Sequence, residues 1–137
     1  MPEIVMPGIR WPWIVIVIAL AAAAYATANK VADDLQRSDV AKSLTNGDAS
    51  LASPVFRKFG CAGCHTIPGI PGADGQVGGS LAGLSKRVYV GGVLTNTPEH
   101  LVQWIVSPET FSSRTAMPKT GISEAEARDL AAYLYAN

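Results

Sequence analysis

Cys61-Ala62-Gly63-Cys64-His65 holds the chain's two cysteines three positions apart, with one of its two histidines directly behind the second. Sulfur and imidazole at that spacing can support thiol–disulfide exchange, ligation of a metal ion, or covalent attachment of haem. A dithiol redox motif expects a strand–helix–strand setting, which the flanking sequence lacks, and leaves the histidine without a task. A tetrahedral zinc site would have to draw on Cys61, Cys64, His65 and His100. His65 adjoins Cys64, however, and the histidines stand 35 positions apart, not at the usual pair spacing. Haem attachment employs every residue: cysteines at i and i+3 share a helix face and can bond the two vinyl groups, while the next side chain reaches the iron. The reading is one covalently bound haem c, held by Cys61 and Cys64, with His65 as an iron ligand.

The opposite face of such an iron needs a donor. Met117, in Thr115-Ala116-Met117-Pro118, is the one methionine beyond the apolar run at 11–28, since Met1 and Met6 precede that run. A methionine is often core filler. This one lies in a Gly/Pro/Ser-rich loop and is followed by a proline that stiffens the backbone, which suits a ligand held by its loop. His100 is the alternative donor, although as the third residue of an expected helix it reads as a first-turn surface residue. Histidine and thioether together saturate the iron and favour the reduced state, which points to an electron carrier, not an enzyme; no catalytic residue is assigned. A five-coordinate sensor or enzyme is the reading if Met117 does not bind.

Three helices must position these groups. The first is expected to start with Ser53 as cap and Pro54 at its first position, with Val55, Phe56 and Phe59 on its apolar face. The second runs from Thr97 and Pro98 through Leu101, Trp104 and Ile105 and stops before Pro108. The third opens on the Ser123-Glu124-Ala125-Glu126 capping box and buries Leu130, Tyr133 and Leu134. No segment reads as a strand. The fold class is therefore all-α, with two Gly/Pro/Ser-dense loops, 67–84 and 106–121, that need a bound group to fill the space among the helices.

Upstream, WPWIVIVIALAAAAYATA (11–28) carries no charge. As a helix it measures about 27 Å against a hydrocarbon slab of about 30 Å. Trp11, Trp13 and Tyr25 sit where amphipathic rings prefer the headgroup level, and Arg10 and Asn29 bracket the run. Ala26-Thr27-Ala28 has the form of a signal cleavage site, but the run is longer than a signal's apolar region, so a retained anchor is expected. The division is an anchor over 1–28, a polar stalk over 29–50 with a turn at Asn46-Gly47-Asp48 that frees the soluble portion from the anchor, and a domain over 51–137. Lys30, Arg37 and Lys42 come after the span while Arg10 alone precedes it, a count that opposes a cytoplasmic N-terminus. Net charge is zero, so composition supplies no strong field and gives no sign of nucleic-acid binding.

The domain resembles a class I monohaem cytochrome c. The resemblance rests on VFRKFGCAGCHTI (55–67), VGGSL (77–81), SKRVYVGGVLTNTPEHLVQWIVSP (85–108), AMP (116–118) and EAEARDLAAYLY in the last helix. The middle segments are most similar to cytochrome c domains associated with haem-copper oxidases and related respiratory complexes. The family's loop commonly has Gly-Pro where this chain has Gly78-Gly79. The resemblance implies that a carbonyl there, from Gly79, holds the proximal histidine N–H, and that the first and last helices cross near Phe56, Phe59, Leu130 and Tyr133. It also implies that Arg87 and Trp104 bind haem propionates, and that the haem domain lies on the periplasmic side of a bacterial membrane. Two roles are open: a subunit of a respiratory or photosynthetic complex, or a tethered shuttle between a quinol-oxidising complex and a terminal oxidase. Either would exchange electrons with redox protein partners across a modest basic rim of Lys86, Arg87, Arg114 and Lys119. The small-residue run Ala21 to Ala24 supports close packing against other membrane helices and favours the subunit.

Overall fold

The computed structural model describes residues 11–137. Met1, Met6 and Arg10 lie outside the described residues. The chain divides into two compact units, one ending at Asp34 and the other spanning Leu35–Asn137.

Helix α1 (Trp11–Thr45) supplies the first unit and the opening turns of the second. It is long and apolar enough to cross a membrane. Its large side chains, Trp11 through Leu20 and Tyr25 among them, are exposed, the pattern of a helix whose apolar surface meets lipid or another helix. The polar stretch after the span is thus helical as far as Thr45, where Asn46 adopts a left-handed conformation (φ 54°) and terminates it.

In the second unit the turn at 46–48 is held, not free. The Arg128 guanidinium donates to the Thr45 carbonyl at 2.9 Å, and the Asp48 amide donates to the Asp129 carboxylate at 2.7 Å. Gly47 is present because backbone passes there: a Cβ would lie 2.0 Å from the Arg128 carbonyl oxygen. Local sequence reads as a turn that frees the domain because the partners that hold it lie more than 80 positions away.

A single helical turn, Ala49–Leu51, leads into α2 (Ala52–Lys58). Asp48 caps that turn, its side chain accepting from the Ser50 amide, while α2 itself follows Leu51 without a side-chain cap, so the expected cap Ser53 and first residue Pro54 both lie inside the helix. Helices α3 (Pro98–Val106) and α5 (Glu124–Ala136) start where their signals place them, Thr97 accepting from the His100 amide and Ser123 forming a complete capping box with Glu126. A short α4 (Pro108–Phe111) lies between them. The element that sequence does not announce is a hairpin of two two-residue strands, β1 (Tyr89–Val90) and β2 (Leu94–Thr95), paired Tyr89 to Thr95 and Val90 to Leu94. Two residues are too few to display alternation; the Gly91-Gly92 turn is its only signal. The fold is mostly helical, with this one small sheet among the described residues.

The core forms where α2, α3 and α5 meet. Phe56, Leu101, Ile105, Leu130 and Leu134 are buried there, and the Phe56 and Tyr133 rings pack edge to face with centroids 5.5 Å apart, at the crossing expected for the first and last helices. Outside, Lys58 meets Glu126 at 2.6 Å. That contact, with the capping-box bonds from Ser123, lowers the Glu126 pKa from 4.5 to about 2. A folded-state pKa below the unfolded one stabilises fully above the unfolded value and is lost as pH falls toward the folded one. Acid titration should therefore cost this helix end its contribution between pH 4.5 and about 2. In Glu126→Gln the melting temperature should fall less across that window; an unchanged slope would refute the linkage.

Candidate functional site

The motif residues are set by the end of α2. From Gly60 the chain makes a tight helical turn, Cys61–Gly63, closed by Cys64 N–H to the Cys61 carbonyl at 3.2 Å and His65 N–H to the same oxygen at 2.9 Å. Cys61, Cys64 and His65 thus share one compact turn beside the core. All three are half-buried. Burial pushes the Cys61 thiol above its ordinary pKa, opposite to the depressed pKa of a dithiol-exchange nucleophile. Among the described residues no group of three or more His, Cys, Asp or Glu side chains gathers into a metal site.

The three side chains open into a cavity of about 430 Å³, within the usual range for a small-molecule site. Phe56, Phe59, Leu84, Val90, Leu101 and Leu130 supply much of its wall, and α2, α3, α5, the hairpin and both Gly/Pro-rich loops all contribute. Met117 and Pro118 reach it from the second loop, with the Met117 amide donating to the Thr115 hydroxyl at 3.1 Å. Trp104 lines it from α3. Arg87 lines it too, but Nη2 of its guanidinium donates to the Ser80 carbonyl and, at 3.1 Å, to that of Ala82. His100 is not among the lining residues. Its Nδ1 instead faces the Thr95 hydroxyl and carbonyl at 3.0 and 2.8 Å, which removes it as the alternative donor.

The His65 ring is fixed on two sides. Its Nδ1 lies 2.7 Å from the Gly79 carbonyl oxygen, which can only accept, so Nδ1 carries the proton and Nε2 keeps a free lone pair. Gly78 passes so close that a Cβ there would stand 2.3 Å from Cε1 and 2.8 Å from Nε2. Gly78→Ala should therefore push the ring off the Gly79 carbonyl, destabilise the domain by about 1–3 kcal/mol through overpacking, and alter any spectrum that depends on His65. Thermal melts and absorbance spectra test this; a variant identical to the parent in both would show that the ring is not confined.

Two thiols on one turn, an imidazole with its outer nitrogen free, a thioether and an apolar cavity match the donor set of covalent haem. The expected basic rim keeps its charge, although two of its cations have partners. Lys86, Arg87, Arg114 and Lys119 are all exposed, but Lys119 meets Glu109 at 3.6 Å and Arg87 is engaged with backbone carbonyls.

Comparison with known proteins agrees with this chemistry. The Cytochrome c family profile matches residues 49–136. The chain is also similar to a cytochrome c oxidase subunit 2 of Alkalihalophilus pseudofirmus, 31% identical over 87 residues that make up 63% of this chain. The match spans only 25% of that relative's length. No solved structure matches. With the family profile covering every residue of the cavity and the attachment motif at its centre, the chain belongs to the cytochrome c family of haem-bearing electron-transfer proteins.

Proposed function

We propose that this protein is a membrane-anchored monohaem c-type cytochrome that carries single electrons on the periplasmic side of a bacterial cell membrane, as a subunit of a respiratory or photosynthetic electron-transfer complex. The observation that carries the reading is the fixed His65 ring, its Nε2 free and its Nδ1–H on Gly79, sharing one apolar cavity with Cys61, Cys64 and Met117. When bound, haem supplies a reversible one-electron centre. In this reading Cys61 and Cys64 would anchor it by thioether bonds, His65 and Met117 would supply nitrogen and sulfur to its iron, and the apolar wall would keep water away. The Trp104 N–H and the remaining Arg87 donors meet the propionate carboxylates. Residues 1–28 are the anchor, and the unit Leu35–Asn137 bears the haem, the expected 29–50 stalk being folded into that unit from Leu35 on.

Membership of an oxidase-like complex is supported by the similarity to an oxidase subunit 2 and by the small-residue run in α1. The periplasmic side is inferred from the family, in which haem is attached outside the cytoplasm; it overrides the basic-residue count around the span. Gentle detergent extraction of native membranes, followed by sizing and identification of copurifying proteins, tests the assignment. Comigration with integral redox subunits is expected. A haem-bearing monomer free of partners would favour the tethered shuttle, and protease resistance of the domain in intact spheroplasts would overturn the proposed sidedness. Electron exchange with soluble partners should slow with added salt, since Lys86, Arg87 and Arg114 stay exposed without a carboxylate partner among the described residues; flat dependence would argue for a fixed place in a complex.

A further inference from the structure

The carbonyl that holds His65 belongs to a segment with little stiffness of its own. GQVGGSLAG (75–83) has glycine at Gly75, Gly78, Gly79 and Gly83, each costly in entropy to order. Two amides tie it to the motif on either side of Gly79: Gly78 N–H to the Cys64 carbonyl at 2.7 Å, and Leu81 N–H to the Thr66 carbonyl at 2.8 Å. On either side of Leu81, the Ser80 and Ala82 carbonyls both accept from Arg87.

Arg87 is itself well founded. Its amide donates to the Leu84 carbonyl at 3.0 Å, and its carbonyl accepts from Asn96 Nδ2 at 2.8 Å. The same Asn96 nitrogen donates to the Leu84 carbonyl at 2.7 Å, while Asn96 Oδ1 accepts the Tyr135 hydroxyl of α5 at 2.9 Å. A continuous hydrogen-bonded brace therefore runs from α5 through Asn96 and Arg87 to the residues just beyond Gly79.

We propose that Arg87 is a positioning residue for His65: its guanidinium spans two carbonyls of the glycine-rich loop and so fixes the Gly79 oxygen that orients the imidazole. This rests on the reading of His65 as iron ligand and adds a distinct role to Arg87. Charge-assisted bonds of this kind are stronger than neutral ones, and both come from the one nitrogen Nη2, which the planar guanidinium holds at a fixed reach that the shorter, freely rotating lysine ammonium does not reproduce. A residue that served only a propionate would act through its charge. A loop clamp acts through stiffness, and stiffness can be restored by other means.

Gly79 offers that means. Its φ lies outside the left-handed region, a Cβ there would meet nothing within 4 Å, and its amide makes no hydrogen bond among the described residues. Proline, which the family's loop commonly carries at this position, takes no hydrogen bond away there and restricts the loop.

The experiment uses the haem-loaded, full-length protein in detergent, with haem attachment first verified by denatured mass. Exchange of the His65 Nδ1 proton in the reduced state is followed by NMR, alongside the midpoint potential, in Arg87→Gln, Arg87→Lys, and each combined with Gly79→Pro. Exchange should rise about tenfold in both Arg87 variants and return to within about threefold of the parent when Gly79→Pro is added, the potential moving back in parallel. Parental exchange in Arg87→Lys would overturn the proposal in favour of a charge-only role, and a rise that Gly79→Pro fails to reverse would overturn it by showing that loop stiffness is not what Arg87 supplies. Should Arg87→Gln accept no haem, the Arg87→Lys pair decides alone. A parent protein lacking the tetrapyrrole mass would defeat the haem reading itself, a separate failure.

Discussion

A chain in which Cys61 and Cys64 are both replaced by alanine should show, once denatured, the mass of the bare polypeptide, and its Leu35–Asn137 unit should lose cooperative unfolding when stripped of free haem. The magnitude is set by the cavity. Without the group, the apolar wall of a cavity of about 430 Å³ meets water, a loss set against a whole stability of about 5–15 kcal/mol for a domain this size. Phe56, Leu101, Ile105, Leu130 and Leu134 face the void from three helices, and collapse into it would have to break the close approach of Gly78 to the His65 ring. Circular dichroism across a thermal ramp, with mass spectrometry, checks both parts. A doubly substituted, haem-free chain that still melts cooperatively at the parental temperature would mean that the protein core does not need the group.

What is legible in the sequence divides by the range of the interactions. The Cys-x-x-Cys-His turn, the Thr97-Pro98 start of α3 and the Ser123 capping box are encoded within four or five residues, and each lies where its signal puts it. The His65–Gly79 bond, 14 positions apart, is reached through family resemblance and not through spacing. Contacts of the 45–48 turn with α5 and of Arg87 with Ser80 and Ala82 leave no local trace, because a guanidinium's partner is chosen by the fold. Arg87 is legible as a residue near the cavity but not as one whose donors are partly spent on backbone. Trp104 presents the reverse case: its apolar neighbours explain its burial, and nothing in its local sequence marks it as a residue of the cavity wall.

Met117→Ala should convert the centre from a saturated carrier to one with an open position. The methionine is half-buried on the cavity wall, packed against the core, and Pro118 and the Thr115 hydroxyl restrain the loop on either side of it. Removing a thioether that favours the reduced iron should lower the midpoint potential by on the order of 0.1–0.3 V, well inside the range of about 0.8 V that axial ligands span. The sulfur-to-iron absorbance band of the oxidised protein should vanish, and added imidazole or carbon monoxide should bind where the parent resists both. Loss of packing alone would act differently: Met117→Leu keeps the volume and should preserve much of the stability while losing the band and the potential as completely as alanine does. If the parent shows no such band and binds carbon monoxide freely, the iron has an open face, and a five-coordinate sensor or enzyme replaces the electron carrier as the reading of this cavity.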